Sequence, residues 1–389
     1  MMIPSTVRVA TGLYCNWDSF VRVDSQVLRW VENLQKVKPQ AVVLKSLEEA
    51  VYTLQKAFRE GGREFLISRE LYSSLDSLFK RREKRVGGNG YHMGKVLFDL
   101  GLRPLVSYPC RPPNLMRASP AFKIACGKEF KLPEEAVRVG DPEYDHIVFE
   151  FTEDPSLGVF LEGRHILSWD RMSSEGKFDY DFLEHASDRR FVDVLILAYA
   201  HLLLPDFKKK TDEVVDYLDG SRRPKVHLEL GQGSEEALTY ALKKFTDYHC
   251  VDSLGLNEKE CADFLKASSG RPEDLAEAAL EAAKLYGVDR VCVHSSSFAL
   301  SVSKYSLDRE AEALTTGRLV AAAKTFGLPF EESLNSAAGL PCSEVKPRKE
   351  KRDGYSLCLI PALINRNPKV LTGLGDAFAA SQSVKALIP

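Results

Sequence analysis

Lys369-Val370-Leu371-Thr372-Gly373-Leu374-Gly375-Asp376-Ala377-Phe378-Ala379-Ala380 sets a Gly-x-Gly-Asp tetrad directly before a run of small, helix-compatible residues. Two glycines let the backbone turn tightly and bring amide N–H groups close to a ligand. A helix starting there presents unpaired amides and the positive end of its dipole, which suits phosphate. An aspartate at the mouth of such an anion site is placed to take a proton from a hydroxyl being phosphorylated. The tetrad therefore reads as a phosphoryl-transfer site with its own base, Asp376, and with Gly373, Leu374 and Gly375 as the anion hole. The plainer reading is a glycine turn with Asp376 as a helix N-cap.

Upstream of the tetrad, short apolar runs alternate with helical patterns. Runs at 7–13, 41–44, 191–198, 225–230, 288–294 and 356–359 read as strands. Segments 47–59, 90–100, 212–218, 234–246, 257–266, 272–286 and 308–326 read as helices. In the first of these, Leu47, Val51, Leu54 and Phe58 recur at helical spacing. Such alternation implies an α/β fold: a mostly parallel sheet with helices on both faces. Two regions break the pattern. Residues 14–40 follow the first strand directly, and 105–175 hold strand-like pieces at 146–151 and 158–161 with little helical periodicity. Both are expected in a second, smaller layer inserted into the main domain. Residues 346–352 are expected to form a basic surface loop, with contact to nucleotide phosphates as the alternative.

A net charge of −2 gives no whole-chain bias toward nucleic acid or an anionic membrane. No apolar run approaches the ~20 residues that span a bilayer, and residues 1–6 lack a signal-peptide layout. A cytoplasmic protein without nucleic-acid or membrane partners is expected. The eight cysteines are scattered with no Cys-x-x-Cys pair. They are expected to be reduced thiols, with Cys292 and Cys358 in the core.

Three further segments accompany the tetrad: His227-Leu228-Glu229, Asn257-Glu258-Lys259-Glu260 and Gly87-Gly88-Asn89-Gly90. With Asn16-Trp17-Asp18, their order and spacing resemble the ADP-dependent sugar kinases of the ribokinase superfamily, the archaeal ADP-dependent glucokinases and phosphofructokinases. Arg164-His165-Ile166-Leu167-Ser168-Trp169-Asp170 is similar to an Arg-x-Ile-x-x-x-Asp pattern of that family. The resemblance runs from about residue 7 to about residue 383. It implies a ribokinase-like three-layer sandwich with a mostly parallel sheet, plus a smaller β-rich lid. On that basis residues 1–13, 41–104 and 176–389 are expected in the large domain, and 14–40 and 105–175 in the lid. The implied activity is transfer of the β-phosphoryl of ADP to a sugar hydroxyl, with AMP as the other product. Nothing in the motifs themselves separates ADP from ATP.

Phosphoryl transfer asks for positioning and charge neutralisation. Mg2+ takes oxygen ligands and keeps several waters. Glu229 and Glu260 should both lie at the carboxyl edge of the sheet, where ligands bind in such folds. In the family these motifs organise the metal, partly through water, with Asn257 orienting that shell. Sugar hydroxyls both donate and accept, which Asn16, Asp18 and Asn89 can match, while Gly88 lets backbone approach closely. The resemblance places both segments in the acceptor pocket and puts His294 near the nucleotide. His227 ranks as a supporting residue behind Glu229.

Two acceptors compete. Gly61-Gly62-Arg63-Glu64 resembles a glucokinase segment that puts an acid in the sugar pocket, and Glu64 would repel a phosphorylated sugar. This favours a glucose-like hexose. A phosphate on the acceptor would need cations, for which Arg164, Arg189, Arg190, Arg81, Arg82, Lys84 and Arg85 are the candidates. Fructose 6-phosphate, nucleosides and sugar 1-phosphates stay open. The chain departs from the family at Ala377-Phe378 and at Tyr91-His92. A relative that binds nucleotide or sugar without catalysis is the reading from another class.

Overall fold

The computed structural model describes residues 3–80, 82–143, 145–169, 175–370 and 372–388. A nine-stranded sheet forms the centre of the larger part. Six neighbouring strands run parallel: Leu105–Val106, Val9–Gly12, Val194–Tyr199, Lys225–Leu230, Ser253–Asn257 and Arg290–His294. Their interiors are almost wholly buried, as expected for strands covered on both faces. Phe298–Ser303, Tyr355–Pro361 and Arg348–Arg352 extend the sheet in antiparallel fashion. Of residues 346–352, expected as a loop, 348–352 thus supply the sheet's edge strand, with Arg348 paired to Glu350 and Arg352 to Glu277. A lysine- and arginine-rich edge blocks pairing with another chain.

Leu374–Leu387 is buried on every side from Ala377 to Val384. Its alanines and serines leave little bulk, so Leu307–Lys324 and Asn89–Asp99 pack closely against it. Buried serine hydroxyls are satisfied inside the helix; Ser381 donates to Ala377 O at 2.7 Å. Phe378, one of the residues departing from the family, faces Gly317, where a Cβ would come within 2.7 Å of its ring. Among the described residues no helix is long and apolar enough to cross a membrane.

A second sheet has six strands in the order Val43–Leu44, Glu64–Ile67, Gly163–Ser168, Asp145–Phe151, Asn16–Arg22, Glu83–Gly87. Ser25–Asn33, Leu47–Glu60 and Arg69–Leu78 cover one of its faces, with Val51, Leu54, Phe58, Leu71 and Leu75 against Val21, Ile67, Ile147, Phe149 and Leu167. The two-residue period of strands sends the alternate residues to the opposite face. Those residues are Asn16, Asp18, Glu64, Leu66, His146, Arg164 and Ile166, which line a cleft against the large sheet. The expected split at residue 41 needs correction here. Strands Val43–Leu44, Glu64–Ile67 and Glu83–Gly87 pair in the second sheet, and Leu105–Val106 pairs in the large one. The amphipathic helix Leu47–Glu60 would present the same pattern against either sheet, so local sequence did not fix its partner. Residues 158–161 form no strand; only Val159 makes an isolated bridge, to Asp154.

Candidate active site

The tetrad folds as a turn into a helix. Gly373 takes the left-handed conformation, φ 65°, and is the N-cap of Leu374–Leu387. Asp376 sits in the first turn and does not cap; its Oδ1 instead accepts from Asn89 Nδ2 at 2.8 Å. Asn89 opens helix Asn89–Asp99 behind Gly88, whose φ of 88° favours glycine. A Cβ on Gly88 would also press on Asn16 Oδ1 at 2.8 Å. The double glycine and the Gly-x-Gly-Asp turn, 285 residues apart in the chain, therefore meet through one side-chain bond.

Two adjoining cavities share Asp376, Asn89, Glu64, Arg164 and Gly373. The first, of about 190 Å³, adds Asn16, Asp18, Gly88, His92, His146 and Thr372. Here Asn16 Nδ2 donates to Asp18 Oδ1 at 2.8 Å and lies 3.3 Å from His146 Nδ1. Glu64 Oε1 accepts from Ser168 Oγ at 2.6 Å. Gln232, on a loop of the large part, bonds the Glu64 backbone twice, at 3.0 and 3.2 Å. Burial raises the Asp18 carboxyl, and His146, Asn16 and Arg164 oppose the rise.

The second cavity, of about 370 Å³, adds Glu229, Asn257, Glu260, His294, Leu374 and Gly375. Asn257 and Glu260 form a capping box: Asn257 Oδ1 accepts from Glu260 N, and Glu260 Oε2 from Asn257 N, both at 2.8 Å. That box aims the first turn of Glu258–Phe264 at the cavity. Burial pushes both Glu229 and Glu260 up to about 7; Asp376 adds to the rise on Glu229, and Glu229 to the rise on Glu260. Two carboxylates that repel each other beside the turn at Gly373–Gly375 suit a hard divalent cation. Among the described residues no group of three or more His, Cys, Asp or Glu side chains forms a metal cluster. Phosphate oxygens and water would have to complete the shell. His294 lies against the anion turn: a Cβ on Gly375 would be 3.1 Å from its Nε2, and its ring is 5.2 Å from Phe378.

Asp376 opens onto the cavity floor, but protein on its other sides raises its pKa. Lys324, Asn89 and Arg164 oppose that rise. Lys324 ends helix Leu307–Lys324 beneath the turn, and a Cβ on Gly373 would lie 2.6 Å from its Nζ. Sequence reasoning missed Lys324, because a lysine in the last turn of a helix reads as a partner of the helix dipole. His146 was missed as well, although the alternation of its strand places it beside Asp18. Of the cations weighed for an acceptor phosphate, Arg164 alone lines both cavities. Arg82 is spent on Asp76 and Asp145, and Lys84 on Asp145. Arg85 is paired with Glu83. Arg189 and Arg190 precede strand Val194–Tyr199, at the sheet edge opposite the cleft. Arg81 and Asp170 lie outside the described residues.

The family model of the ADP-specific phosphofructokinase/glucokinase conserved region matches residues 7–385. The chain is 25% identical to the ADP-dependent glucose/glucosamine kinase of Pyrococcus furiosus, over 77% of this chain and 74% of that protein. It is 22% identical to the ADP-specific phosphofructokinase of Pyrococcus horikoshii, over 97% of each. Among solved structures, a hypothetical ADP-dependent phosphofructokinase from Pyrococcus horikoshii OT3 matches with a TM-score of 0.75 at 19% identity, covering 99% of both chains. An ADP-dependent kinase in complex with fructose-6-phosphate and ADPbetaS matches with a TM-score of 0.76 at 18% identity, covering 98% of this chain and 93% of that one. These structures share the fold described above. The family match over residues 7–385 establishes that the chain belongs to the ADP-dependent phosphofructokinase/glucokinase family and is a phosphotransferase with an alcohol group as acceptor.

Proposed function

We propose that the protein transfers the β-phosphoryl of ADP to a hydroxyl of an unphosphorylated, glucose-like hexose, in the cytoplasm and with Mg2+, giving a sugar phosphate and AMP. One observation carries this reading: Asp376 stands where the cavity lined by Asn16, Asp18 and His146 meets the cavity lined by Glu229 and Glu260. Asn16, Asp18, Asn89 and Glu64 grip the hexose through hydroxyls that donate and accept. Asp376 Oδ takes the proton of the reacting hydroxyl, held in position by Asn89. Amides of Gly373, Leu374 and Gly375 receive the phosphoryl oxygens at the helix start. Arg164, carried by the second sheet, brings a positive charge to the same point when that sheet closes over the cleft and excludes water. Glu229 and Glu260, with Asn257 behind them, would hold Mg2+, which neutralises charge on phosphate oxygens when bound. Eight cysteines without a disulfide fit a reducing compartment.

A second reading, a phosphorylated acceptor, draws on one feature. A cavity of about 940 Å³ adjoins Glu64 and Arg164 and is lined also by Arg22, Arg63, Arg85 and Lys369. Glu64, Glu150 and Glu162 share that lining and offset much of its charge. Release of AMP from ADP, and of ADP from ATP, is measured against glucose, fructose 6-phosphate, ribose and nucleosides, with and without Mg2+. Turnover with ADP, Mg2+ and a free hexose is expected. Turnover with fructose 6-phosphate alone would transfer the assignment to the second reading. Nucleotide binding without turnover on any acceptor would favour a non-catalytic relative.

A further inference from the structure

Three neighbouring strands of the large sheet carry polar side chains at one level of an otherwise apolar ladder. His227 pairs in register with Ser253, and Ser253 with Arg290. All three are fully buried, as is Glu310 on helix Leu307–Lys324. Arg290 Nε donates to both Glu310 oxygens, at 2.9 and 3.0 Å, and Nη1 donates to Ser253 Oγ at 3.3 Å. Ser253 Oγ is 2.8 Å from His227 Nδ1, and His227 Nε2 is 2.8 Å from Glu229 Oε1. The chain of bonds thus crosses the sheet and then turns along strand Lys225–Leu230 to its carboxyl edge.

The cationic end sets the direction of every bond. A guanidinium only donates, so Ser253 Oγ accepts from Arg290. The serine proton is then directed to His227 Nδ1. A neutral imidazole that accepts at Nδ1 carries its proton on Nε2, and that N–H donates to Glu229. Gln382 Nε2 approaches His227 Nε2 at 3.4 Å, donor against donor in this arrangement, and has its own acceptor in Ala379 O at 3.2 Å. A fully buried Arg–Glu pair adds little stability over apolar residues of the same size. Arg290 Nη2, moreover, has no partner among the described residues. Stability therefore does not account for the pair.

We propose that Arg290 and Ser253 are positioning residues that lock His227 as the Nε2–H tautomer, so that Glu229 is held through Oε1 and leaves Oε2 for the cation. The purpose rests on the assignment of Glu229 to the metal; the tautomer does not. Partners that orient a metal-ligating group typically change metal affinity by about 10–100-fold when removed.

The test uses the full-length protein labelled with 15N-histidine and free of metal, and reads the ring nitrogens by long-range 1H–15N NMR. The His227→Gln variant assigns the signal. Wild type should show Nδ1 as the acceptor and Nε2 protonated; a protonated Nδ1 would overturn the proposal with no variant needed. Ser253→Ala should mix the tautomers and weaken Mn2+ binding, read by titration calorimetry, by about 10–100-fold. Unchanged ring shifts in Ser253→Ala would refute the relay. Altered tautomers with unchanged Mn2+ affinity would uphold the relay and refute its role in holding Glu229 for the cation.

Discussion

Replacing Asp376 with asparagine removes the proposed base while leaving its surroundings almost untouched. The amide keeps an oxygen that accepts from Asn89 Nδ2, so the 2.8 Å bond between the double glycine and the anion turn persists. Side-chain volume is nearly unchanged, and the turn that receives phosphate is built from backbone. Binding of ADP and hexose should therefore stay within a few-fold of wild type. Loss of a carboxylate repelling the incoming phosphate acts, if anything, toward tighter nucleotide binding. Proton transfer by a positioned base is worth about 10²–10⁴-fold, or about 2.7–5.4 kcal/mol of barrier. Turnover should fall by that factor, with KM values little altered. Wild type should lose activity as pH falls through the raised pKa of Asp376, and the variant should lack that acid limb. Initial rates of AMP formation across pH, at saturating ADP and hexose, measure both quantities. A turnover within tenfold of wild type with the acid limb intact would place the base on another residue.

Three further outcomes follow from the same geometry. Lys324→Met removes a cation that favours the ionised form of Asp376; the carboxyl pKa then rises, and the acid limb of kcat/KM should move to higher pH, whereas a stationary limb would mean Lys324 does not act on Asp376. Glu64→Ala deletes a charged hydrogen-bond acceptor worth about 1.5–3 kcal/mol, so kcat/KM for the hexose should drop about 10–150-fold, and gain of fructose 6-phosphate turnover by the same variant would show that the acid also excludes phosphate. Glu229 and Glu260 are raised from 4.5 to about 7 in the folded protein, so the native state holds these protons more tightly than the unfolded chain. Stability without metal should then fall as pH rises from about 4.5 through about 7, and Mg2+ should restore it at the upper end. A metal-free Tm that is flat over this window would argue against the paired carboxylates.

The parts of the site that were legible in the sequence are those built by local backbone chemistry. The Gly-x-Gly-Asp turn, the Asn-x-x-Glu capping box and the double glycine before Asn89 each need particular residues at adjacent positions, and each folds as that chemistry dictates. Strand-and-helix alternation gave the large sheet for the same reason. Non-local facts stayed hidden. Glu64–Ile67 is short with a single charge, and Glu83–Gly87 carries three consecutive charges on both faces, so nothing in them announces which sheet they join. Phe298–Ser303 passed unnoticed because two serines interrupt its apolar pattern, although both are buried. Lys324 reaches Gly373 only through the packing of two helices.

Five of the side chains around the acceptor cavity, Asn16, Asp18, Glu64, His146 and Arg164, belong to the second sheet. Those that would handle the donor and the cation, Asp376, Glu229, Asn257, Glu260 and His294, belong to the large part. Preference for one alcohol over another can therefore drift, or be grafted from a relative, by changing four strands of that sheet. The machinery that breaks the phosphoanhydride would be inherited intact. A lineage built on this plan can acquire new sugars by editing one module, and a chimera that joins the second sheet of one member to the large part of another would report which module chooses the acceptor.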